Sequence, residues 1–152
     1  KWCNDLDMWP YNSYWNWSAM RVWPIWYAFD TLEKTLEEAE KSAICTHDHI
    51  EWIKWAKAVA WAIFLARRWE DKEEIKRFIE RDIWYSIPRR LDLLRLTYAY
   101  NETCQKTVPE AILCFLESND FEDAIRNAIS IWWDSDTLAC ITWSIAEAFY
   151  WV

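Results

Sequence analysis

The stretch DHIEWIKWAKAVAWAIFLARR, residues 48–68, carries most of the information about the fold. Its apolar residues recur every three or four positions and form one broad side, at Ile50, Ile53, Ala56, Ala60, Ile63 and Phe64. This spacing matches the 3.6-residue period of an α-helix. A helix from about Asp48 to Arg68 with so wide an apolar side is predicted to lie at the centre of the core.

The same periodicity predicts helices on both sides of this stretch. Asp30 and Glu33 have the spacing of a capping box and begin a helix that runs to about Ser42. Later helices are predicted to begin at Asp71 with Glu74, at Thr107 with Glu110 and with Pro109 in the first turn, at Asp120, and after Asp136. The apolar face of the last helix, Leu138, Ile141, Ile145 and Phe149, is predicted to pack against the helix that contains Ala56, Ala60 and Ile63.

Two regions lack a helical repeat. The first 29 residues carry turn residues and are predicted to be an ordered loop, and the stretch from Arg89 to Thr107 is predicted to be irregular with a short helix at most. Strand-like alternation, internal repeats and linkers are all absent from the sequence. We therefore expect an all-α fold with a single domain over residues 1–152.

Composition and charge argue against two classes of function, nucleic-acid binding and membrane spanning. The chain has 152 residues, 17 Lys+Arg against 25 Asp+Glu, and a formal net charge of -8. An acidic chain without a basic stripe argues against a nucleic-acid partner, because neutralising phosphates supplies most of that affinity. The longest apolar run, Ala58 to Ala66, has nine residues, about half of the roughly 18 to 20 that cross a bilayer. We expect a soluble protein without a membrane partner.

Five cysteines are widely spaced and form no C-x-x-C pair. An odd, dispersed set of this kind indicates neither a disulfide framework nor a zinc site. We expect the protein to lie in the reducing cytoplasm.

Glycine is absent, although ordinary usage predicts about 11 glycines in a chain of this length, while tryptophan occurs 15 times. Many tryptophans stand where turns call for glycine. They include Trp9 before Pro10, Trp15 and Trp17 around Asn16, Trp23 before Pro24, Trp69 after two arginines, and Trp132 and Trp133 before Asp134. We infer that tryptophan has been written at the glycine positions of a natural-type sequence. The alternative is a Trp-rich binding surface.

The segment Asp134-Ser135-Asp136-Thr137 is the most suggestive cluster of chemistry-bearing residues. Two carboxylates at positions i and i+2 of a non-helical turn can converge on one cation, and the Thr137 hydroxyl adds a third hard oxygen. Such donors suit Mg²⁺. The same residue types also cap helices, so a purely structural cap remains the alternative.

With tryptophan interpreted as glycine, three blocks of the sequence resemble the ADP-ribosylglycohydrolase family. Residues 13–22, SYWNWSAMRV, resemble its G-N-G-x-A-M-R segment, and Thr46-His47 before the Ala-rich helix resembles its T-H element. Residues 120–130, DFEDAIRNAIS, then lead through the Trp132-Trp133 turn to Asp134-Ser135-Asp136-Thr137 and Ala146-Glu147-Ala148. The blocks occur in the family's order and span almost the whole chain.

The resemblance implies an all-α, orthogonal multi-helix bundle that uses two Mg²⁺ ions to hydrolyse ADP-ribose from ADP-ribosylated proteins or small molecules. It implies that Asp134, Asp136 and Thr137 bind the metal. Ser13, Tyr14 and Asn16 would line the ADP-ribose site, and His47 would contact the substrate. These assignments have structural alternatives, since His47 can simply cap or precede the following helix, and Tyr14 and Asn16 can serve only to build a turn.

The family's other metal-binding element, a Thr-Asp-Asp segment in its N-terminal part, has no counterpart in this sequence. We therefore expect a partial domain that lacks the N-terminal part and holds half of the dinuclear site. Rival expectations are a noncatalytic, engineered or recoded helical protein that only binds or self-associates, and a scaffold that binds metal without hydrolysis.

Overall fold

The computed structural model describes residues 15–47, 49–68, 71–83, 86–88, 90–99 and 103–151. These residues form nine helices and no strand, which confirms the all-α prediction for the described part of the chain. The helices are α1 Trp17–Met20, α2 Ile25–Ala28, α3 Leu32–Ile44, α4 Ile50–Arg67, α5 Lys72–Ile83, α6 Leu91–Thr97, α7 Cys104–Leu116, α8 Phe121–Ser130 and α9 Ser135–Tyr150. No helix among the described residues is long and apolar enough to cross a membrane.

Helix α4 is the centre of the core, as its apolar side predicts. It packs against α1, α3, α5, α7 and α9. The predicted contact with α9 is present: Leu138, Ile141 and Ile145 are completely buried and Phe149 packs at the edge of the same core. Burying each such side chain stabilises the fold by about 1.5 to 3 kcal/mol, so the α4–α9 pair fixes where the start of α9 lies.

The predicted helix starts are accurate to one or two residues where a side chain caps the helix. Asp71 Oδ1 accepts from the Glu74 amide at 2.7 Å, and Asp120 Oδ1 accepts from the Asp123 amide at 2.8 Å, as expected. The cap of α3, however, is Thr31 rather than Asp30, and α4 is capped by His49. Asp48, the predicted start of α4, lies outside the described residues.

The start of α7 was predicted wrongly. The helix begins at Cys104, and Pro109 lies inside it instead of in its first turn. The buried face explains the difference, since Cys104, Thr107, Val108 and Ala111 recur at helical spacing and are all completely buried. Burial of that face outweighs the one backbone hydrogen bond that Pro109 cannot donate.

The two regions predicted to be irregular contain short helices. Helices α1 and α2, four residues each, lie in the segment expected to be a loop, while α6 is the short helix allowed between Arg89 and Thr107. The chain turn between α1 and α2, residues 21–24, includes the exposed Trp23. Trp9 and Trp69, also placed at turns by the sequence pattern, lie outside the described residues.

All three described residues with a positive φ are tryptophans: Trp132 at 65°, Trp133 at 64° and Trp151 at 53°. Trp132 and Trp133 form the turn between α8 and α9, and Trp151 ends α9 with its amide donating to the Glu147 carbonyl at 3.0 Å. A left-handed backbone costs a residue with a Cβ about 1 to 2 kcal/mol and costs glycine nothing. The backbone at these sites therefore favours glycine, which supports the inference from composition.

We expect the double change Trp132→Gly and Trp133→Gly to raise the free energy of unfolding by about 2 kcal/mol, because it relieves two left-handed residues. The matched control is Trp143→Gly, the same substitution at a helical, half-exposed position of α9. That control should lower the free energy of unfolding by up to about 1 kcal/mol. Urea unfolding measures both, and an equal gain in the control would contradict the glycine interpretation.

Candidate functional site

Asp134 occupies the N-cap position of α9, but its side chain does not cap the helix. Its side chain accepts no hydrogen bond from the amides of the first turn. Its Oδ1 instead accepts from the Thr137 hydroxyl at 2.8 Å, and its Oδ2 accepts from the Asn16 side-chain amide at 2.6 Å. Asp134 thus lies at the N-cap position, but its carboxylate is held by two side-chain donors instead of the amides of the first turn.

Asp136 lies beside this carboxylate, in the first turn of α9. From the sequence Asp136 is expected in a non-helical turn before the helix, but the helix already begins at Ser135. The pKa of Asp134 is raised, chiefly by burial and also by the neighbouring Asp136 carboxyl, against the lowering effect of the Thr137 and Asn16 hydrogen bonds. Among the described residues, neither carboxylate forms an ion pair with a basic side chain. The two carboxyl groups therefore place negative charge at this site that no basic side chain among the described residues offsets.

Asn16 joins the N-terminal segment to this cluster across 118 residues of sequence. It is 2% exposed and precedes α1, and its Nδ2 also donates to the Thr107 hydroxyl of α7 at 3.3 Å. A side chain that only builds its own turn does not make such contacts. The other two residues assigned to the ADP-ribose site, Ser13 and Tyr14, lie outside the described residues.

His47 is completely buried in the segment between α3 and α4. Its Nε2 lies 2.9 Å from the Trp15 carbonyl oxygen, and its Nδ1 lies 2.7 Å from the Thr46 hydroxyl. Burial is the main reason that the pKa of His47 is lowered, with the Arg21 charge acting in the same direction. His47 is not the cap of α4, because His49 is, and both of its ring nitrogens contact the protein.

The donor set fits a hard divalent cation. Asp134 and Asp136 supply carboxylate oxygens and Thr137 a hydroxyl, and their negative charge has no basic partner among the described residues. Magnesium takes about six oxygen ligands. Within the described chain, no group of three or more His, Cys, Asp or Glu side chains gathers as a metal site. These residues could supply one side of a magnesium site, whose other ligands would have to come from water, substrate or another segment.

Glu110, expected from the sequence to pair with Thr107 at the start of a helix, is instead a buried acid inside α7. Glu110 of α7 is 9% exposed, and its Oε2 has no hydrogen-bond partner among the described residues. Burial raises the pKa of Glu110 to about 8. Tyr98 lies near it, and the pKa of Tyr98 is raised by burial and by the charges of Glu110 and Asp134. The sequence signal for the burial of Glu110 was its place at helical spacing from Thr107, Ala111 and Cys114.

Tryptophans flank both segments of the cluster. Trp15 and Trp17 stand on either side of Asn16, with their rings 6.0 Å apart, and Trp132 and Trp133 precede Asp134. All four are exposed. Four of the positions expected to be glycine therefore lie within two residues of Asn16 or Asp134 in the sequence.

Comparisons with known proteins identify the family and the fold. A model of the ADP-ribosylglycohydrolase family matches residues 3–150. A solved structure described as an ADP-ribosylglycohydrolase-related protein complex is 23% identical, with a TM-score of 0.73, and the match covers 90% of this chain and 50% of that one. The chain thus spans half the length of that relative, whose likeness confirms the fold expected from the sequence. No curated protein matches the sequence.

Proposed function

Because this chain belongs to the ADP-ribosylglycohydrolase family, we propose that it contributes a magnesium-dependent site for hydrolysing ADP-ribose from ADP-ribosylated proteins or small molecules. Family membership supports glycohydrolase chemistry. The magnesium requirement, the ADP-ribosylated substrate and a cytoplasmic location belong to the proposal.

The observation that carries the proposal is the contact between the first and last family segments. The Asn16 amide and the Thr137 hydroxyl each donate to one oxygen of Asp134, while Asp136 lies alongside. A structural turn or helix cap needs no carboxylate held from both sides. Two neighbouring carboxylates with no basic partner among the described residues supply oxygen ligands and negative charge that suit a divalent cation.

The chemistry follows from what these side chains hold in place. Hydrolysis adds water across the bond between the anomeric carbon of a ribose and its acceptor, through a transition state with positive charge on the sugar. Bound magnesium would supply positive charge that grips ribose hydroxyls and orients the anomeric carbon. Asp134, Asp136 and Thr137 would hold the ion, and the bond from Asn16 keeps Asp134 from rotating away.

Release of ADP-ribose from an ADP-ribosylated protein, followed by chromatography with Mg²⁺ or with EDTA, tests the proposal. We expect release with Mg²⁺ only. Mg²⁺-dependent binding of ADP-ribose without release would reduce the function to a metal-binding scaffold. Equal behaviour in Mg²⁺ and EDTA would contradict the proposal and favour a noncatalytic helical protein.

A further inference from the structure

We propose that the C-terminal ends of α7 and α9 together form a binding site for a primary ammonium group, which Lys72 fills from α5 as the anchor of that helix. The site lies away from the candidate cation cluster. Asp134 precedes α9 and Tyr150 ends it, and a helix of this length separates them by about 24 Å. The ammonium site therefore does not depend on the proposed function.

Four oxygen atoms surround the Lys72 ammonium. It donates to the Phe115 carbonyl at 2.9 Å, the Ser118 carbonyl at 2.5 Å and the Tyr150 hydroxyl at 2.8 Å, and the Ser118 hydroxyl lies 3.1 Å away. The Ser118 hydroxyl itself donates to the Phe115 carbonyl at 2.6 Å, and the Tyr150 hydroxyl donates to the Ser118 carbonyl at 3.1 Å. Each of the three protons of an ammonium group therefore has an acceptor.

Aromatic rings line the rest of the site. The Lys72 nitrogen lies 4.8 Å from the centre of the Phe115 ring and 5.5 Å from that of Phe149. A cation within about 6 Å of a ring centroid is attracted by the ring's quadrupole. The rings also pack edge to face, with centroids 5.2 Å apart for Phe115 and Phe149 and 5.1 Å apart for Phe149 and Tyr150. The contacts that assemble the site thus run between α7 and α9 themselves.

Helix dipoles explain why the ammonium lies here. Lys72 is the first residue of α5, a position at which the dipole of its own helix disfavours a cation. The ammonium lies instead at the C-terminal ends of two other helices, since α7 ends at Leu116 and α9 at Tyr150. Carbonyl groups at helix ends lack partners within the helix, and a lysine can donate to them. The site, and not its own helix, therefore favours the charge of Lys72.

Lys72 is also the polar connection between α5 and the core. Ile75 and Ile79 bury the apolar face of this helix. Every other hydrogen bond or ion pair that a side chain of α5 makes with a described residue stays within α5. Loss of the ammonium should therefore loosen α5 more than it loosens α7 and α9.

Hydrogen–deuterium exchange followed by mass spectrometry tests the anchor in Lys72→Ala. We expect the α5 amides of this variant to exchange about 10-fold faster than those of the parent chain, because charge-assisted hydrogen bonds and cation–π contacts with the core are lost. The matched control, Lys76→Ala, removes a lysine from the same helix and should exchange like the parent chain. Parent-like exchange in Lys72→Ala, or an equal increase in both variants, would overturn the proposal.

Propylammonium tests the ammonium site itself, because it matches the part of the side chain that Lys72→Ala removes. We expect it to raise the thermal midpoint of Lys72→Ala by about 2 to 4 °C and to slow the exchange of α5. Tetramethylammonium has the same charge but no N–H donor and should do neither, and propylammonium should leave Lys76→Ala unchanged. Equal effects of the two ions on Lys72→Ala, or no effect of propylammonium, would overturn the proposal.

Tyr150→Phe covers the case in which Lys72→Ala does not fold. It keeps the ring and removes only the hydroxyl that accepts from Lys72. We expect α5 to exchange about 3-fold faster, which corresponds to the loss of one hydrogen bond of ordinary strength. Parent-like exchange of α5 in this variant would then contradict the proposal.

Discussion

The double change Asp134→Ala and Asp136→Ala is expected to abolish Mg²⁺ binding and to lower the rate of ADP-ribose release by about 100-fold or more. The physical reason is the loss of both carboxylates that would hold the ion, which supplies several kcal/mol of charge stabilisation in the transition state. Isothermal titration calorimetry measures the binding. In the parent chain we expect weak Mg²⁺ affinity, because these residues provide only about half of the ion's ligands.

The matched control removes two acids from the first turn of another helix, Glu73→Ala and Glu74→Ala in α5. It changes the net charge by the same amount at a distance from the site, so it should leave Mg²⁺ binding and ADP-ribose release unchanged. Equal heats from the parent chain and from the Asp134/Asp136 variant would remove the metal hypothesis. An equal loss in the Glu73/Glu74 variant would show that overall charge, and not the site, attracts the ion.

Glu110→Gln is expected to remove a large pH dependence of stability. The pKa of Glu110 is raised from 4.5 to about 8 in the folded protein. The folded state therefore keeps this proton while the unfolded chain releases it, so the stabilising effect is complete below about pH 4.5 and is lost as the pH rises to about 8. A shift of this size corresponds to about 3 to 5 kcal/mol.

Urea unfolding at pH 5, 7 and 8 measures the effect. We expect the parent chain to lose stability over this range and Glu110→Gln to be the more stable protein at pH 8. The lowered pKa of His47 acts in the opposite direction at the acidic end and is common to both proteins, so their difference isolates Glu110. Glu33→Gln, at an exposed position of α3, is the control. Parallel pH profiles of the parent chain and Glu110→Gln would show that Glu110 does not carry the effect.

Apolar periodicity was sufficient to predict the all-α fold and its central pair of helices. The apolar faces of α4 and α9 are buried as expected, because packing the two faces against each other removes both from water. Local signals were less reliable where burial competes with them. Pro109 indicated the first turn of α7, but the buried face beginning at Cys104 determines where that helix starts.

The residues of the candidate site could be named from the sequence, but the contacts among them could not be predicted from it. From local sequence Asp134 is either a cap or a cation ligand, and no local pattern predicts that Asn16, 118 residues away, donates to its carboxylate. His47 has the residue type of a substrate contact, yet its burial and its bond to Trp15 depend on how α1 and α3 pack. Glu110 was expected to cap a helix together with Thr107, and its burial follows only from the earlier start of α7 at Cys104.

The interpretation of tryptophan as glycine comes from the sequence, and the backbone conformation tests it position by position. Residue counts and turn positions suggested that tryptophan replaces glycine at Trp15, Trp17, Trp23, Trp132 and Trp133 among the described residues, but of these only Trp132 and Trp133 have a positive φ. The left-handed conformations of Trp132, Trp133 and Trp151 identify the places where the backbone itself requires glycine's freedom. Trp52 and Trp55, in contrast, lie in the helical interior of α4, where no such requirement exists.

A crystal structure of the chain grown with Mn²⁺ tests the central claim most directly, because anomalous scattering locates the ion without reference to activity. We predict a peak within about 2.0 to 2.3 Å of oxygens from Asp134, Asp136 and Thr137, with the Asn16 amide still donating to Asp134. A peak elsewhere, or none at these residues while the Asn16–Asp134 contact is intact, would contradict the assignment of this cluster as the cation site.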